Sequence, residues 1–515
     1  PMFAKMVEFI GGRLYYDLIN WYKLVSFLPG YSFNRAFFEK MLGLQKEYYY
    51  APPPPGALER YLVVLPRLVY QTVKIGLSFA FMGTLVNRFN RRFDREYARL
   101  SALDLAALEL PACKALYYRV YDEFVARWQV PIANDFAVMV SAGAADKLYR
   151  AWLGEDGYVQ LFSRSRRPLV SLDPGYKIIE IVSLIKKEPG LPALFPGGDP
   201  VEILRALRGP LSGSPAAKAI NDYLERFGSR VPNELKLESK SINEQPEFFI
   251  YILQAALAAG GDGAAAALPA ALPEDAAGRL PRLRRFVLSA VGGWAVNSVY
   301  RREETRFRRS LIFGFSRKLF LAIAEKFLAL GLLRERDDIF YLTMEEVFSM
   351  IDSAGAPAGL AAVIAARKKD YAYWKSRELP RRIESELAVP AIEAGLRAGS
   401  NPAASSAGVL KGMTAARTPA GRVSGTALVL PDFDPSADFS GKILVTRQTD
   451  PGWTIVFPLL KGIVVERGGM LSHAAIVARE LRIPCIVGVE SAVAGVPRGS
   501  SVELHMDTGE VHVLN

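Results

Sequence analysis

From residue 1 to about 400, apolar positions recur at helical spacing, and the chain reads as one helix after another. The periodicity is plainest from Phe313 to Leu333, where Leu319, Phe320, Ile323, Phe327, Leu328 and Leu330 form a single apolar face. The same spacing predicts helices around 58–100, 101–127, 133–153, 215–227, 247–258, 283–301 and 357–378. Pro-Pro-Pro-Pro-Gly at 52–56 breaks the pattern as a hinge, and the Gly- and Ala-rich run from Gly260 reads as a surface loop. No internal repeat of fixed period occurs, which argues against a solenoid.

Near residue 400 the pattern changes. Small residues and one proline from Gly399 to Gly408 read as a linker, taken to run over 399–420. Short β-type runs follow at Gly425–Leu430, Ile443–Val445, Gly462–Val465, Cys485–Val489, Ser501–Met506 and Glu510–Leu514. Helices are expected among them near Trp453–Leu460 and His473–Leu481. The expected fold is multidomain: a mainly α-helical domain over 1–398, the linker over 399–420, and a small α/β domain over 421–515.

Composition narrows the class. The 515 residues hold 64 Lys+Arg against 53 Asp+Glu, a net charge of +11. From residue 408 onward ten basic residues face ten acidic ones, so the excess lies in the helical part. With half the residues apolar and 23% charged, a disordered chain is excluded. The basic runs Arg88–Arg99 and Arg301–Arg309 are interleaved with acidic residues. They read first as solvated helix faces with i,i+4 pairs and otherwise as a cleft for an anionic ligand; no nucleic-acid partner is expected. No apolar run reaches the roughly 20 residues of a spanning helix, so no membrane insertion is expected. No signal-peptide pattern opens the chain, and the location reads as cytoplasmic. Cys113 and Cys485, far apart, exclude a disulfide framework and a Cys-rich zinc site, and read as buried thiols in a reducing compartment. No metal site is expected in the chain.

The only histidines are His473, His505 and His512, so chemistry in the first 470 residues must do without imidazole. The informative stretch runs from Gly462 to Gly488: strand, Gly-Gly turn, helix, Pro-marked turn, strand. Ser472 stands where an N-cap belongs and His473 opens the first turn, with alanines at 474, 475 and 478 permitting close packing on a sheet. A helix N-terminus offers free N–H groups and the positive end of the dipole, which favours an anion and disfavours imidazolium. That setting suits a neutral histidine that accepts a phosphoryl group; the plainer alternative is a histidine capping a turn. His505 and His512 fall on the closing strands and read as structural.

Gly468-Gly-Met-Leu-Ser-His-Ala-Ala-Ile-Val-Ala-Arg-Glu480, followed by Ile483-Pro484 and Val487-Gly488, resembles the phosphohistidine signature of the PEP-utilising enzymes. Pro419–Ala427 and Thr449–Trp453 resemble the strand and turn that precede it there. In domain order the chain is most similar to rifampicin phosphotransferase and phosphoenolpyruvate synthase-like proteins, without their N-terminal ATP-binding domain. The resemblance implies a swivelling phosphohistidine domain over 421–515, with His473 as the phosphorylated residue and Ser472, Gly468, Gly469 and Arg479 stabilising the phosphate. One departure is Leu471, where many members carry Thr.

A more diffuse likeness in the helical part covers Gly12–Trp21, Phe227–Leu235, Arg302–Arg306 and Asp337–Glu346, and implies a substrate-binding-like domain. Arg230, Glu234, Arg302 and Arg306 then become candidate substrate-side residues, each equally readable as a member of a buried ion pair. Ser229 stands where relatives commonly have histidine. The implied activity is dikinase-type phosphotransfer from ATP with Mg2+, both bound by an ATP-binding domain in cis or in trans and neither by this chain. His473 would carry the group to a small-molecule acceptor held by the helical domain. The rival readings are a non-catalytic carrier or binding protein, and a subunit of a split phosphotransferase whose ATP-binding domain is on another chain.

Overall fold

The computed structural model describes residues 6–26, 65–154, 161, 173–228, 236–258, 280–377, 379–380, 382–385, 389–398, 408–418, 421–434 and 437–514. The expected proline hinge at 52–56 and the loop from Gly260 lie outside these described residues. The chain is mainly helical, with one small mixed sheet at its C-terminal end.

An antiparallel hairpin comes first, β1 (Val7–Ile10) and β2 (Arg13–Tyr16), turned by Gly11 and Gly12 at φ +55° and +68°. Helical periodicity does not reveal it, because four-residue strands are too short to show their alternation. A Cβ on Gly11 would stand 2.6 Å from Leu379 Cδ1, so glycine is needed both for the turn and for its close approach.

The helices are α1 (Leu18–Ser26), α2 (Leu65–Ala80), α3 (Met82–Ser101), α4 (Leu110–Val120), α5 (Gln129–Leu153), α6 (Asp173–Lys187), α7 (Pro200–Arg208), α8 (Pro215–Phe227) and α9 (Pro246–Ala258). Then come α10 (Arg282–Ala329), α11 (Met344–Ser353), α12 (Leu360–Ser376) and α13 (Val389–Ala398). Two expected helices, 283–301 and 313–333, prove to be the single 48-residue α10. No proline interrupts it, and the charged run between them is held by partners: Arg308 on Asp94 at 2.8 Å and Arg302 on Asp135 at 3.0 Å.

The sheet has eight strands: β3 (Val409–Lys411), β4 (Met413–Ala416), β5 (Arg422–Val429), β6 (Ile443–Thr446), β7 (Gly462–Val465), β8 (Cys485–Val487), β9 (Ser501–His505) and β10 (Glu510–Leu514). Their order is β3-β10-β9-β5-β6-β7-β8-β4, parallel from β5 to β8 and antiparallel elsewhere. Residues 409–416, within the stretch expected as a linker, are instead its two edge strands, paired to β10 and β8. The expected helix at 453–460 is two 3-10 turns, Pro451–Ile455 and Phe457–Leu459, since each proline removes a backbone donor. Two helices complete the sheet domain, α14 (His473–Glu480) and the single turn α15 (Ala492–Gly495).

Two hydrophobic cores decide the packing. One gathers α3, α4, α11, α12 and the C-terminal half of α10 around Phe93, Leu319, Phe327 and Phe348. The other joins α5, α6, α8 and α9 to the sheet domain without a break, through Phe249, Ala295, Trp453, Phe457 and Val477. The helix α10 runs through both.

Arg317 of α10, 1% exposed, fixes the segment before α9 to this strut. Its guanidinium grips Glu244 at 2.7 and 2.8 Å, donates to the Leu237 carbonyl and lies 4.6 Å over the Phe340 ring. Burial pushes the Glu244 carboxyl up, but hydrogen bonds from Arg317 and Ser241 outweigh it and hold the group at about 2. Arg317→Met should therefore cost about 3 kcal/mol, read as a lower urea midpoint, because it strands a half-buried carboxylate. Since the folded value lies below the ordinary 4.5, the pair's contribution is complete above pH 4.5 and is lost as pH falls toward about 2.

Candidate functional site

The loop from Gly468 to Ser472 shapes the start of α14. Gly468 has φ +121°, and a Cβ there would stand 2.8 Å from Ser472 Cβ, so only glycine lets the loop fold back so tightly. The Ser472 amide donates to the Gly469 carbonyl at 2.9 Å, and its hydroxyl accepts from the Ala475 amide as the N-cap. Arg479, one residue from the end of α14 and 6% exposed, reaches back to the Met470 carbonyl at 2.5 Å and the Ala415 carbonyl at 2.7 Å. It is thereby positioned as a clamp on the glycine loop and on β4.

His473 is 3% exposed and bridges the two parts of the molecule. Its Nε2 faces Thr454 Oγ1 at 3.2 Å, from the first 3-10 turn. Its Nδ1 faces Glu303 Oε2 at 3.3 Å, from the middle of α10. Burial pushes Glu303 up, but the hydrogen bond to His473 and the charges of Arg306 and Arg302 outweigh it, and the carboxyl is held at about 2. An ionised carboxylate can only accept, so Nδ1 carries a proton, and Nε2 shares its hydrogen bond with the Thr454 hydroxyl.

Arginines flank the carboxylate. Arg306 Nη1 lies 3.4 Å from Glu303 Oε1. Arg302 reaches Asp135 at 3.0 Å and the Leu471 carbonyl, on the glycine loop, at 3.4 Å. The solvated-face reading of Arg301–Arg309 fails here: Glu303 and Thr305 are 1% and 3% exposed, and Glu303 meets His473 of the sheet domain. Along Arg88–Arg99 the arginines are exposed as expected, but their pairs with Glu96 and Glu123 are not i,i+4: Arg99 meets Glu96 at i,i+3 and Arg92 meets Glu123 31 residues on.

The structure thus brings His473, Ser472, Gly468, Gly469 and Arg479 into one loop-and-helix unit, and sets Arg302 and Arg306 opposite them on α10. Arg230 and Glu234 lie outside the described residues. Glu303 and Thr454 were missed by sequence reasoning. Glu303 sits inside the quoted Arg302–Arg306 motif, and an acid flanked by arginines at i−1 and i+3 was its only signal. A cleft of about 350 Å3 lies elsewhere, lined by Lys236, Lys240, Tyr341, Tyr371, Asp432 and Phe433, and shares no lining residue with the His473 site.

Two family models match parts of the chain. Residues 439–509 match the PEP-utilising enzyme mobile domain, and residues 132–303 match the rifampicin phosphotransferase fourth domain. The chain is 27% identical to the rifampicin phosphotransferase of a Streptomyces species over 383 residues, covering 71% of this chain and 42% of that protein. It is 26% identical to that of Bacillus cereus, covering 74% and 44%. The prodigiosin synthesizing transferase PigC of Serratia marcescens is 26% identical, covering 83% and 48%. The resemblance to PEP-utilising enzymes, read from the residues around His473, is shown by these matches. The chain spans less than half the length of these relatives.

The seam between the parts also holds Glu480, at the end of α14 beside Tyr176 of α6, whose phenol is raised by burial and then by Glu480. Burial pushes Glu480 up to about 7, against the pull of Arg479. With the folded value above the ordinary 4.5, its contribution is complete below pH 4.5 and is lost as pH rises through about 7. Thermal midpoints followed from pH 5 to 8 should fall more steeply in the wild type than in Glu480→Gln, which lacks the titrating proton.

Proposed function

We propose that the chain is the acceptor half of a dikinase-type phosphotransferase, in which His473 carries a phosphoryl group from ATP to a hydroxyl compound held by the helical part. The observation that carries this reading is the buried contact of His473 Nδ1 with Glu303 Oε2. It holds a proton on Nδ1 and so leaves Nε2, which faces the Thr454 hydroxyl, as the nitrogen that would bond phosphorus.

ATP and Mg2+ belong, on this reading, to an ATP-binding domain in cis or in trans; together they supply the activated phosphoryl group. At 3% exposure His473 has no opening for a nucleotide in the docked state. Charging therefore takes place, on this reading, with the sheet domain away from α10. On return, Arg302 and Arg306 meet the phosphoryl oxygens, and the helix end and Ser472 hold the rest of the charge. The acceptor hydroxyl oxygen bonds phosphorus as the P–N bond breaks; the P–N electron pair returns to Nε2 and the hydroxyl proton passes to solvent. Glu303 holds Nδ1–H in place whenever the domain is docked.

With ATP, Mg2+ and the ATP-binding domain supplied, the chain should gain an acid-labile, base-stable phosphate that His473→Ala abolishes. Label persisting in that variant sinks the proposal. Glu303→Gln should keep the label but slow its discharge to acceptor by roughly 100-fold, since a neutral amide no longer enforces the tautomer. Single-turnover discharge of purified phosphoprotein separates the two steps.

A further inference from the structure

The strands β9 and β10 bring together the two histidines that the reaction does not use. Register places Lys411, Glu510, His505 and Arg422 in one row across β3, β10, β9 and β5, and Val409, His512, Glu503 and Ser424 in the row two residues along. The row between them, Leu410, Val511, Leu504 and Val423, packs into a smaller core inside the sheet domain, with Val445, Val464 and Ile486. Both polar rows therefore stand on the opposite face of the sheet, where the strand alternation directs them.

On that face the His505 and His512 rings stack, with centroids 3.9 Å apart and planes 13° from parallel. His505 Nε2 lies 2.6 Å from Glu503 Oε1, and His512 Nε2 lies 3.2 Å from Glu510 Oε2. Glu503 is braced in turn by the Ser424 hydroxyl at 2.9 Å.

We propose that His505, His512 and Glu510 form a binding site for a borderline divalent transition-metal ion, of which Zn2+ is the reference case, with Glu503 orienting His505. One ligand atom from each of the three lies within 4.8 Å of the others. Tetrahedral zinc with bonds of about 2.0–2.1 Å needs ligand atoms about 3.3 Å apart and ring planes that converge on the ion, so binding requires the two imidazoles to turn out of their parallel stack. Two imidazoles and one carboxylate with an open fourth position is a familiar zinc set. The ion takes the place of any proton on the ring nitrogens that bind it, and the protons displaced go to solvent. Lys411 and Arg422 flank the carboxylates, and Arg422 comes within 3.8 Å of Glu503. Their charge disfavours Mg2+, which has no preference for imidazole to offset it.

The test is independent of phosphotransfer. The tag-free 515-residue chain, titrated with Zn2+ at pH 7.5 against a chromophoric chelator, should bind one equivalent in the micromolar range with release of protons. The same concentration of Mg2+ should not bind. His505→Ala, His512→Ala and Glu510→Gln should each weaken binding by about tenfold or more, and lowering the pH to 5.5 should release the metal as the imidazoles protonate. Zinc should also shield His505 and His512 from carbethoxylation in the unmutated chain, mapped by mass spectrometry, a readout that needs no variant to fold. Failure of the wild-type chain to take up zinc, uptake unchanged by the substitutions, or modification of both histidines at the same rate with and without zinc would each overturn the site.

Discussion

An imidazole and a carboxylate meet at the seam of this molecule where neither is wet, and the rest of the arrangement answers to that contact. Ionised Glu303 has no exposed side-chain surface, a burial that costs several kcal/mol unless charge compensates. Arg306 and Arg302 provide the compensation, together with the Nδ1 proton of His473. On the proposed reading, the same arginines also serve the phosphoryl group. In the proposed cycle they are shared between a permanent anion and a transient one, and the site is never left with bare positive charge.

The polar contact is framed by apolar packing. Trp453 and Phe457 belong to one core with Phe249 and Ala295 from the helical part, so the seam is sealed by dispersion and burial around a small charged centre. That division assigns specificity to the centre and adhesion to its surround. Thr454 illustrates it: the residues before and after it are buried apolar side chains, and its hydroxyl turns to the imidazole.

What could be read from the sequence was what local physics decides. Ser472 as N-cap and His473 in the first turn follow from a capping residue, a glycine pair and an alanine-rich helix, all within a dozen positions. The helix 215–227 follows likewise from Ser214 and Pro215 at its start. Features decided at long range stayed hidden. Glu303 is a functional candidate only because α14, 170 residues later, lands on it, and without that partner it looks like one acid in a basic run. The edge strands at 409–416 owe their structure to β8 and β10, so their small residues look like a linker until those partners arrive. Apolar content over 453–460 suggests a helix, whereas the backbone obeys the prolines at 451 and 458 and turns twice as 3-10.

The continuity of the second core has a kinetic meaning. A domain held to its neighbour by a few surface charges separates almost freely, whereas one that shares tryptophan, phenylalanine and valine packing must wet that surface before it can move. If His473 is loaded at one place and emptied at another, the time spent breaking this seam enters every turnover, and bond-making at phosphorus need not be the slow event. Turnover in such a machine is paced by how often the seam opens. Substitutions that trim the side chains of Trp453, Phe457 or Val477 would then act as accelerators at the expense of a securely closed resting state.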